Sequence, residues 1–399
     1  MIVIKQKTEC TGCSACKNIC PKNCIEMKLD NEGFCYPVIN KKLCINCSMC
    51  ENVCPVLSKS VKTQKLAYAG YSTDETIRKN SSSGGVFSVL ALKVLSLGGV
   101  VFGAAFNGVA KVKHIYIDNE KDLCKLRTSK YIQSDIEDSY KKAKEFLDKG
   151  RLVLFTGTPC QIAGLSKYLI KSYDNLYTQD VICHGVPSQR IWDRYIKSKQ
   201  KLQKDSLVFV NFRNKDFGWK DFSLKYQFSR GQKNARQYDD LFFNAFLNNI
   251  MLRPSCYECR FKDKNYYSDL TLGDFWEIQT VMPEMDDNNG TSLIICNTEK
   301  GKKLLTDVSN SLILKKAEYD KAIKHNSAAI KSVHKPGSRD LFFKYLKHHS
   351  IMSTLSLFCG EDKRSKRKVQ LLEDYEDVKT QKGRLFSLLW LIKNKLIQK

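Results

Sequence analysis

The sequence lacks the segments that would carry a protein into or across a membrane. Residues 1–9 alternate apolar side chains with Lys, Gln and Thr, without the continuous apolar stretch and small-residue cleavage site of a secretory signal. The best candidate for a membrane span, residues 86–106, holds Lys93 near its centre and the pair Gly98-Gly99 after it. This stretch predicts a helix, a turn and a buried strand, and we expect a cytoplasmic protein.

Acidic residues are outnumbered by basic ones, and the number of cysteines is odd. The 399 residues include 42 Asp and Glu against 66 Lys and Arg, which gives a formal charge of +24. Such an excess attracts acidic partners, and it also attracts nucleic acid or anionic lipid non-specifically. The 17 cysteines argue against a fully paired disulfide framework, and ten of them fall between Cys10 and Cys54. Metal ligation within that segment is the better explanation.

The cysteine-rich segment contains two copies of the pattern C-x2-C-x2-C-x3-C-P, which end at Pro21 and Pro55. In this pattern three thiolates on a tight loop bind three irons of one 4Fe-4S cube, and the fourth cysteine binds the other cube. We expect that fourth cysteine to open a short helix. The predicted ligands of the first cluster, called the first set, are Cys10, Cys13, Cys16 and Cys54. Those of the second cluster, called the second set, are Cys44, Cys47, Cys50 and Cys20.

Zinc-binding and disulfide modules are the alternatives, but neither normally uses a doubled run followed by proline. Two adjacent clusters accept and pass single electrons and provide no substrate site. The rest of the chain must therefore supply the chemistry. Cys24 and Cys35 lie outside the pattern and are expected to be small buried thiols.

The chain divides into three parts by composition. Residues 1–57 are a ferredoxin-type domain, followed by a polar linker at 58–65. Residues 66–335, with parts at 66–140 and 141–335, alternate helices and strands and become strand-rich after Leu207, so the predicted fold class is α+β. Helices are predicted at 84–97, 139–149, 161–171 and 188–201, and strands at 100–106, 152–155, 176–182, 208–212, 222–228, 270–272 and 293–296.

Residues 336–399 are a basic helical C-terminal extension with a charged run at 363–368. Its last apolar run, residues 388–392, is flanked by lysines and would suit a helix on a membrane surface. A helix docked on its own domain is the preferred interpretation.

Two kinds of motif lie at positions where open α/β sheets usually bind their ligands. The run Ser-Ser-Ser-Gly-Gly at 81–85 precedes a predicted apolar helix, whose free N–H groups and dipole favour a phosphate. Ser and Gly also serve as ordinary helix caps. Cys160 and Cys183 each follow a predicted parallel strand, at the edge where ligands bind in open sheets.

In their order along the chain these motifs resemble the coenzyme F420 hydrogenase/dehydrogenase beta subunit family. The resemblance spans residues 66–305 and rests on the segments 82–85, 129–134, 157–161, 183–185, 256–259 and 268–276. Characterised members bind FAD and move electrons between iron–sulfur centres and a deazaflavin. Many bacteria that carry such proteins make no deazaflavin, and some members sit among cell-surface polysaccharide enzymes, so the two-electron substrate stays open.

The residues that the family pattern places at the FAD are Ser82, Ser83, Gly84, Gly85, Lys130 and Gln133. The first four would form the flavin phosphate loop, and the other two would border the flavin. His184 could donate a proton near the flavin, since imidazole titrates near neutral pH, or it could be a structural histidine. Trp219, Phe275 and Trp276 could cover a planar ring, although aromatic side chains are more often core.

A third 4Fe-4S cluster is predicted in the large domain. Cys160 and Cys183 would stand side by side on neighbouring strands about 4.8 Å apart. Cys256 and Cys259 form a C-x2-C loop, which presents two thiolates to one site. Family members have cysteine at these four positions, called the third set, which would lie between the ferredoxin-type domain and the flavin. A zinc site at Cys256 and Cys259, or Cys160 as a lone reactive thiol, are the alternatives.

The leading hypothesis is an iron–sulfur flavoprotein oxidoreductase of the F420 hydrogenase/dehydrogenase beta subunit type. The competing hypothesis is a basic iron–sulfur electron carrier or accessory subunit without flavin, linked to cell-surface polysaccharide biosynthesis. A nucleic-acid binder would need clustered basic side chains, whereas these lysines are dispersed. The expected partner is an acidic electron-carrier protein or a redox partner subunit. Peripheral membrane contact through the C-terminal helix is the alternative to docking of that helix on its own domain.

Overall fold

Residues 1–57 form a small domain in the computed structural model, which describes residues 1–57, 66–263, 265–360 and 362–376. Its elements in chain order are a 3-10 turn (Lys7–Glu9), helix α1 (Ala15–Ile19), strands β1 (Ile25–Leu29) and β2 (Cys35–Ile39), and helix α2 (Met49–Asn52). The two strands pair antiparallel. Each cysteine run therefore surrounds one short helix, and a hairpin joins the two runs.

The short helices stand before the fourth cysteine of each run. Ser14 and Ser48 have left-handed backbones, with φ of 62° and 57°, and lead into α1 and α2. Cys20 follows α1 directly with an extended backbone, because a proline at the next position disfavours a helical residue before it. The prediction that the fourth cysteine opens a helix is therefore wrong, since Cys20 lies at a helix end.

The large domain is built on two sheets. Its strands are β3 (Leu66–Ser72), β4 (Val100–Asn107), β5 (Lys111–Ile117), β6 (Val153–Gly157), β7 (Leu176–Val181), β8 (Leu207–Asn214), β9 (Ser223–Phe228), β10 (Gly231–Arg236), β11 (Leu270–Asp274), β12 (Ser292–Cys296) and β13 (Leu312–Ala317). Within the described residues, eight strands form a mixed sheet in the order β13-β3-β12-β11-β7-β6-β4-β5. The run from β11 to β4 is parallel, and the outer pairs are antiparallel. Strands β8 to β10 form a separate antiparallel sheet.

The helices of the large domain connect and cover these sheets. They are α3 (Glu75–Lys79), α4 (Val86–Ser96), α5 (Leu123–Leu126), α6 (Ser139–Asp148), α7 (Pro159–Leu169), α8 (Gln189–Gln203), α9 (Leu241–Leu247), α10 (Ile278–Val281), α11 (Glu299–Asp307), α12 (Tyr319–Ile323), α13 (Ser327–Ile330), α14 (Arg339–Leu346) and α15 (Ile351–Cys359). In the described part of the large domain, 3-10 turns lie at Glu120–Asp122, Pro254–Cys256, Pro283–Met285 and Ser309–Ser311. The α+β prediction is confirmed, and every helix and strand predicted between residues 84 and 296 is present, with ends that differ by a residue or two.

Helices cover both faces of the eight-stranded sheet. On one face α4 and α11 bury Leu90 and Leu304 against the strands, and on the other face α6 and α7 bury Tyr140 and Ile162. Ala15 and Val53 of the small domain, exposed by 0% and 3%, belong to this second core. The cysteine domain is therefore packed against α6 and α7, and apolar side chains carry part of that contact.

The three-stranded sheet has a core of its own. Helices α8, α9, α14 and α15 pack against it around Trp192, Phe212 and Phe242, and Phe34 of the small domain joins them. Helices α14 and α15, which the sequence assigned to a C-terminal extension, contribute Phe342 and Leu355 to this core. The charged run 363–368 lies in the helical segment 363–376, and the apolar run 388–392 lies outside the described residues.

No helix in the described part of the chain is both long enough and apolar enough to span a bilayer. Residues 86–106 divide into α4 and β4, as predicted.

Gly164 in α7 tests how closely the cysteine domain is packed. A Cβ at this position would lie 2.9 Å from Tyr140 Oη and 3.2 Å from Cys13 Sγ. We expect Gly164→Val to destabilise the protein by about 1–3 kcal/mol, because both neighbours are held by their surroundings. The matched control is Gly231→Val in β10, where a Cβ meets nothing within 4 Å. Thermal unfolding of anaerobically purified protein measures both, and equal midpoints would contradict the described packing.

Candidate functional site

The cysteines of the first set lie close together at the face of the small domain that contacts α7. Burial raises the pKa of Cys16 to about 12, and the nearby thiols of Cys10 and Cys54 add to this. Burial likewise raises the pKa of Cys13, with contributions from Cys16, Cys160 and Cys10. The four predicted ligands therefore face one another, and Cys13 also faces Cys160 of the large domain.

The cysteines of the second set line one small cavity at the surface of the small domain. The four predicted ligands Cys20, Cys44, Cys47 and Cys50 all contribute to its wall. Cys47 is exposed to solvent. Cys24 also lines this cavity, with its Sγ 3.3 Å from Cys20 Sγ. The prediction that Cys24 is a buried thiol is confirmed, while Cys35 is only partly buried.

The cysteines of the third set come together from three places in the fold. Strands β6 and β7 are parallel neighbours, so Cys160, at the start of α7, and Cys183, just after β7, lie at the same sheet edge. Cys256 ends the 3-10 turn Pro254–Cys256, and its Sγ accepts the N–H of Val186 at 3.4 Å. Burial raises the pKa of Cys183, the charge of Lys262 opposes this, and the other three thiols of the set add to it. All four side chains therefore face a common region.

The first and third sets are neighbours. Cys54, Cys160 and Cys259 pack around one small apolar cluster made of Val56, Ala163 and Phe261. Within the described residues, no three Cys, His, Asp or Glu side chains converge closely enough to hold a single metal ion.

A cavity of about 560 Å³ opens beside the third set, and Cys183 lines it. This volume is within the range of about 300–1,000 Å³ typical of ligand pockets. Of the residues predicted at a flavin, those in its wall are Ser82, Ser83, Gly85, Lys130 and Gln133, together with His184. Gly84 is packed behind the loop instead, where a Cβ would meet the carbonyl oxygen of Gly70 at 2.4 Å.

The serine and glycine loop opens α4 at the edge of this cavity. Gly85 is the N-cap with φ of 86°, and Val86 and Phe87, whose N–H groups have no acceptor within the helix, line the cavity. Ser82 Oγ accepts the N–H of Ser129 at 2.8 Å, which joins the loop to the segment 129–134. Two segments that the family resemblance had linked only by order are therefore in contact.

Lys130 and Gln133 form bonds with the chain itself. Lys130 Nζ donates to the carbonyl oxygens of residues 126, 127 and 128, and burial lowers its pKa to about 7. All three of its hydrogens are thus used to hold its own loop. Gln133 Nε2 donates to the carbonyl oxygen of Thr11 at 2.9 Å, so this side chain connects the cavity wall to the cysteine loop of the first set.

His184 lies in the cavity wall with one ring nitrogen engaged. Its Nε2 is 2.6 Å from Asn249 Oδ1, and its ring packs on Phe246. Burial lowers its pKa, so the neutral ring is favoured. Of the aromatic side chains considered for a planar ring, Trp276 lines the cavity and stacks on Trp219, while Phe275 is core.

Sequence reasoning missed several polar residues in the cavity wall. His114 Nδ1, Gln179 Oε1 and Arg213 Nε are buried and have no hydrogen-bond partner within the described residues. Arg213 pairs with Asp274 at 2.8 Å, and Arg127 reaches Ser88 in the first turn of α4 at 3.1 Å. These residues come from different strands and loops, so no spacing in the sequence could indicate them.

Two family models match parts of the chain. Residues 150–322 match the family model that describes the C terminus of the beta subunit of coenzyme F420 hydrogenase/dehydrogenase, and residues 9–57 match that of a 4Fe-4S dicluster domain. No curated protein matches the chain. Among solved structures, it is similar to a chain of the F420-reducing [NiFe] hydrogenase complex from Methanosarcina barkeri, at 17% identity and a TM-score of 0.46, over 80% of this chain and 93% of that one.

Asp180, in strand β7, should make the stability of the protein depend on pH. It is fully buried, its Oδ1 accepts from Thr271 Oγ1 at 2.5 Å, and its Oδ2 has no partner within the described residues. Burial raises its pKa to about 7, so the folded protein keeps a proton that the unfolded chain loses near pH 4. The free energy of unfolding should therefore fall as pH rises from about 4 to about 7, by at most about 4 kcal/mol.

We expect Asp180→Asn to flatten this slope and to be at least as stable as the native protein at pH 8. The control is Asp174→Asn, which removes the same charge from an exposed position. Thermal unfolding between pH 4.5 and pH 8 compares the three proteins. An unchanged slope in Asp180→Asn would show that Asp180 is ionised throughout.

Proposed function

Since the chain belongs to the coenzyme F420 hydrogenase/dehydrogenase beta subunit family and carries a 4Fe-4S dicluster domain, we propose that it is an iron–sulfur flavoprotein oxidoreductase. In this proposal the three cysteine sets hold three 4Fe-4S clusters, and the 560 Å³ cavity holds FAD. Electrons pass between a redox partner and a two-electron substrate.

The observation that carries the proposal is the linear order of the sets. The second set lies at the surface, the first set faces α7, and Cys13 of the first set is next to Cys160 of the third. Cys183 of the third set is part of the cavity wall. An arrangement from surface to cavity is what single-electron transfer between a partner and a bound group requires.

The surface around the second set suits a protein partner. Cys47 is exposed, and the apolar side chains of Leu43 and Ile45 beside it are 54% and 57% exposed. Lys41 and Lys42 flank them and are exposed as well. An apolar centre with a basic rim favours an acidic electron carrier or partner subunit, because opposite charges steer the encounter and the apolar centre gives contact area.

A buried cation beside the third set fits a negatively charged group at that site. Four thiolates around a cube with a core charge of about +2 leave a net negative charge. Lys262, 7% exposed, donates from Nζ to the carbonyl oxygens of Cys183 and Ala328 and has no carboxylate partner within the described residues. A buried ammonium without such a partner is costly unless a negative group lies nearby, and the third set would supply that group.

The cavity has the polar groups that a flavin dinucleotide needs. The N-terminus of α4 and Arg127 provide positive potential for the phosphates. His114, Gln179 and Arg213 add polar side chains to the wall of the cavity that would hold the ring and the ribityl chain. The chemistry that FAD supplies is the exchange of electrons one at a time with clusters and in pairs with a substrate.

A basic electron carrier without flavin is the second candidate. The observation that favours it is that Lys130 and Gln133 already donate to backbone carbonyl oxygens, so these donors are not free for a flavin. We propose that these two residues shape the cavity wall, a role that is compatible with either function. Flavin content decides between the two candidates.

The third cluster makes a prediction about iron content. Anaerobically reconstituted protein should hold about twelve irons per chain, from three cubes of four. Removing two ligands by Cys256→Ala with Cys259→Ala should lower this to about eight. The control is Cys124→Ala with Cys359→Ala, which changes two cysteines outside the three sets and should leave about twelve. Saturation of the intact protein near eight irons would refute the third cluster.

The flavin makes a prediction about charge in the serine loop. We expect Ser82→Glu to lower the flavin content by about tenfold or more, because a carboxylate about 5 Å from a phosphate costs about 3 kcal/mol at an effective dielectric constant of about 20. Ser96→Glu, at the exposed other end of α4, makes the same change as a control. Flavin released by acid into the supernatant is quantified by absorbance and fluorescence. Equal flavin in both variants would show that the loop does not hold the phosphates, and a flavin-free native protein would favour the carrier.

A further inference from the structure

Arg253 is a buried cation that no carboxylate neutralises. Its side chain is 0% exposed, and it forms no ion pair within the described residues. Moving a guanidinium out of water costs several kcal/mol, and proteins normally offset this with a paired acid. Its partners are instead the ring of Tyr36, whose centroid is 4.5 Å from Arg253 Cζ, and the carbonyl oxygens of Cys10 and Cys35. These groups are neutral, so they provide no opposite charge.

The guanidinium lies against the cysteine loop of the first set. Nε donates to the carbonyl oxygen of Cys10 at 2.8 Å, and Nη2 lies 3.7 Å from Cys10 Sγ. Nη2 also donates to the carbonyl oxygen of Cys35 at 2.8 Å. Nη1 lies 3.3 Å from Gln133 Oε1, in the cavity wall. One planar group thus contacts the first cysteine loop, the hairpin between the two runs and the large domain.

The backbone of Arg253 is bonded to the third set. Arg253 precedes the 3-10 turn that ends at Cys256, and the N–H of Cys256 donates to the carbonyl oxygen of Arg253 at 2.9 Å. Arg253 therefore contacts a cysteine of the first set through its side chain and a cysteine of the third set through its backbone.

We propose that Arg253 is a positioning residue whose guanidinium is the counter-charge of the first cluster and raises its reduction potential. The inference rests on the proposed function, because it needs a cluster at the first set. A reduced cube is more negative by one charge than an oxidised one, so a fixed cation beside it favours reduction. Hydrogen bonds and nearby charge are among the main factors that set the potential of such clusters.

Arg339 offers a matched control within the same interface. It is 2% exposed and also joins the small domain to the large one, through the carbonyl oxygen of Leu252 and through Glu32 at 2.8 Å. Unlike Arg253, it has a carboxylate partner. Loss of Arg339 should therefore disturb the docking of the domains without removing charge from the clusters.

The experiment compares Arg253→Gln, Arg253→Lys and Arg339→Gln as reconstituted full-length proteins. Iron is counted, and paramagnetic resonance during a redox titration gives the midpoint potential of the first cluster. Titration in the Cys256→Ala, Cys259→Ala background isolates that cluster from the third. In Arg253→Gln we expect the ratio of reduced to oxidised first cluster at a fixed poise to fall about tenfold or more, equivalent to about 59 mV for one electron.

Arg253→Lys keeps the charge, so its potential should stay closer to that of the native protein than the potential of Arg253→Gln does. The control Arg339→Gln should have the same potential as the native protein. An Arg253→Gln protein with full iron and an unchanged potential would overturn the inference while leaving the clusters in place. If Arg253→Gln cannot hold its clusters but Arg253→Lys can, compensation by charge is supported; equal loss in both would overturn it. A native protein with only about eight irons would instead refute the third cluster of the proposed function.

Discussion

The packing of the first cysteine loop against helix α7 is the contact on which the rest of the site depends. Gly164 leaves room for Cys13 at that helix, and the apolar side chains of Ala15 and Val53 are buried beside it. Because of this contact, Cys13 faces Cys160, and the ferredoxin-type domain is joined to the sheet edge that carries the third set. A separately tethered domain would leave the cysteine sets at variable distances.

The buried cations among the described residues fall into two groups according to their partners. Arg78, Arg213 and Arg339 pair with carboxylates, which is the usual way to compensate a buried cation. Arg253 and Lys262 are bonded to backbone carbonyls beside the cysteine sets instead. The second group marks the places where the fold lacks negative charge, and these coincide with the places where iron–sulfur clusters are proposed.

Much of the fold could be predicted because its central elements have clear patterns. Strands β4 and β6 each begin with three consecutive large apolar residues, at 100–102 and 153–155, and β6 and β7 are each followed by a helix with an apolar stripe. Prediction missed β3, β5, β10 and β13 of the large domain. Of these, β10 is polar and exposed, and β3 consists largely of small residues and tyrosines. Their place in a sheet is decided by pairing with distant strands, which leaves little trace in local composition.

The sequence by itself determined the two cysteine runs, the parallel strand ends that carry Cys160 and Cys183, and the helix that follows the serine and glycine loop, because each depends on neighbours within a few residues. Only the tertiary structure decided which cysteine sets are neighbours and which polar side chains have hydrogen-bond partners. Lys130 donates its hydrogens to carbonyl oxygens of its own loop. His114 Nδ1, by contrast, has no hydrogen-bond partner within the described residues. Such differences depend on carbonyls and rings brought together from distant parts of the chain, and sequence spacing does not record those contacts.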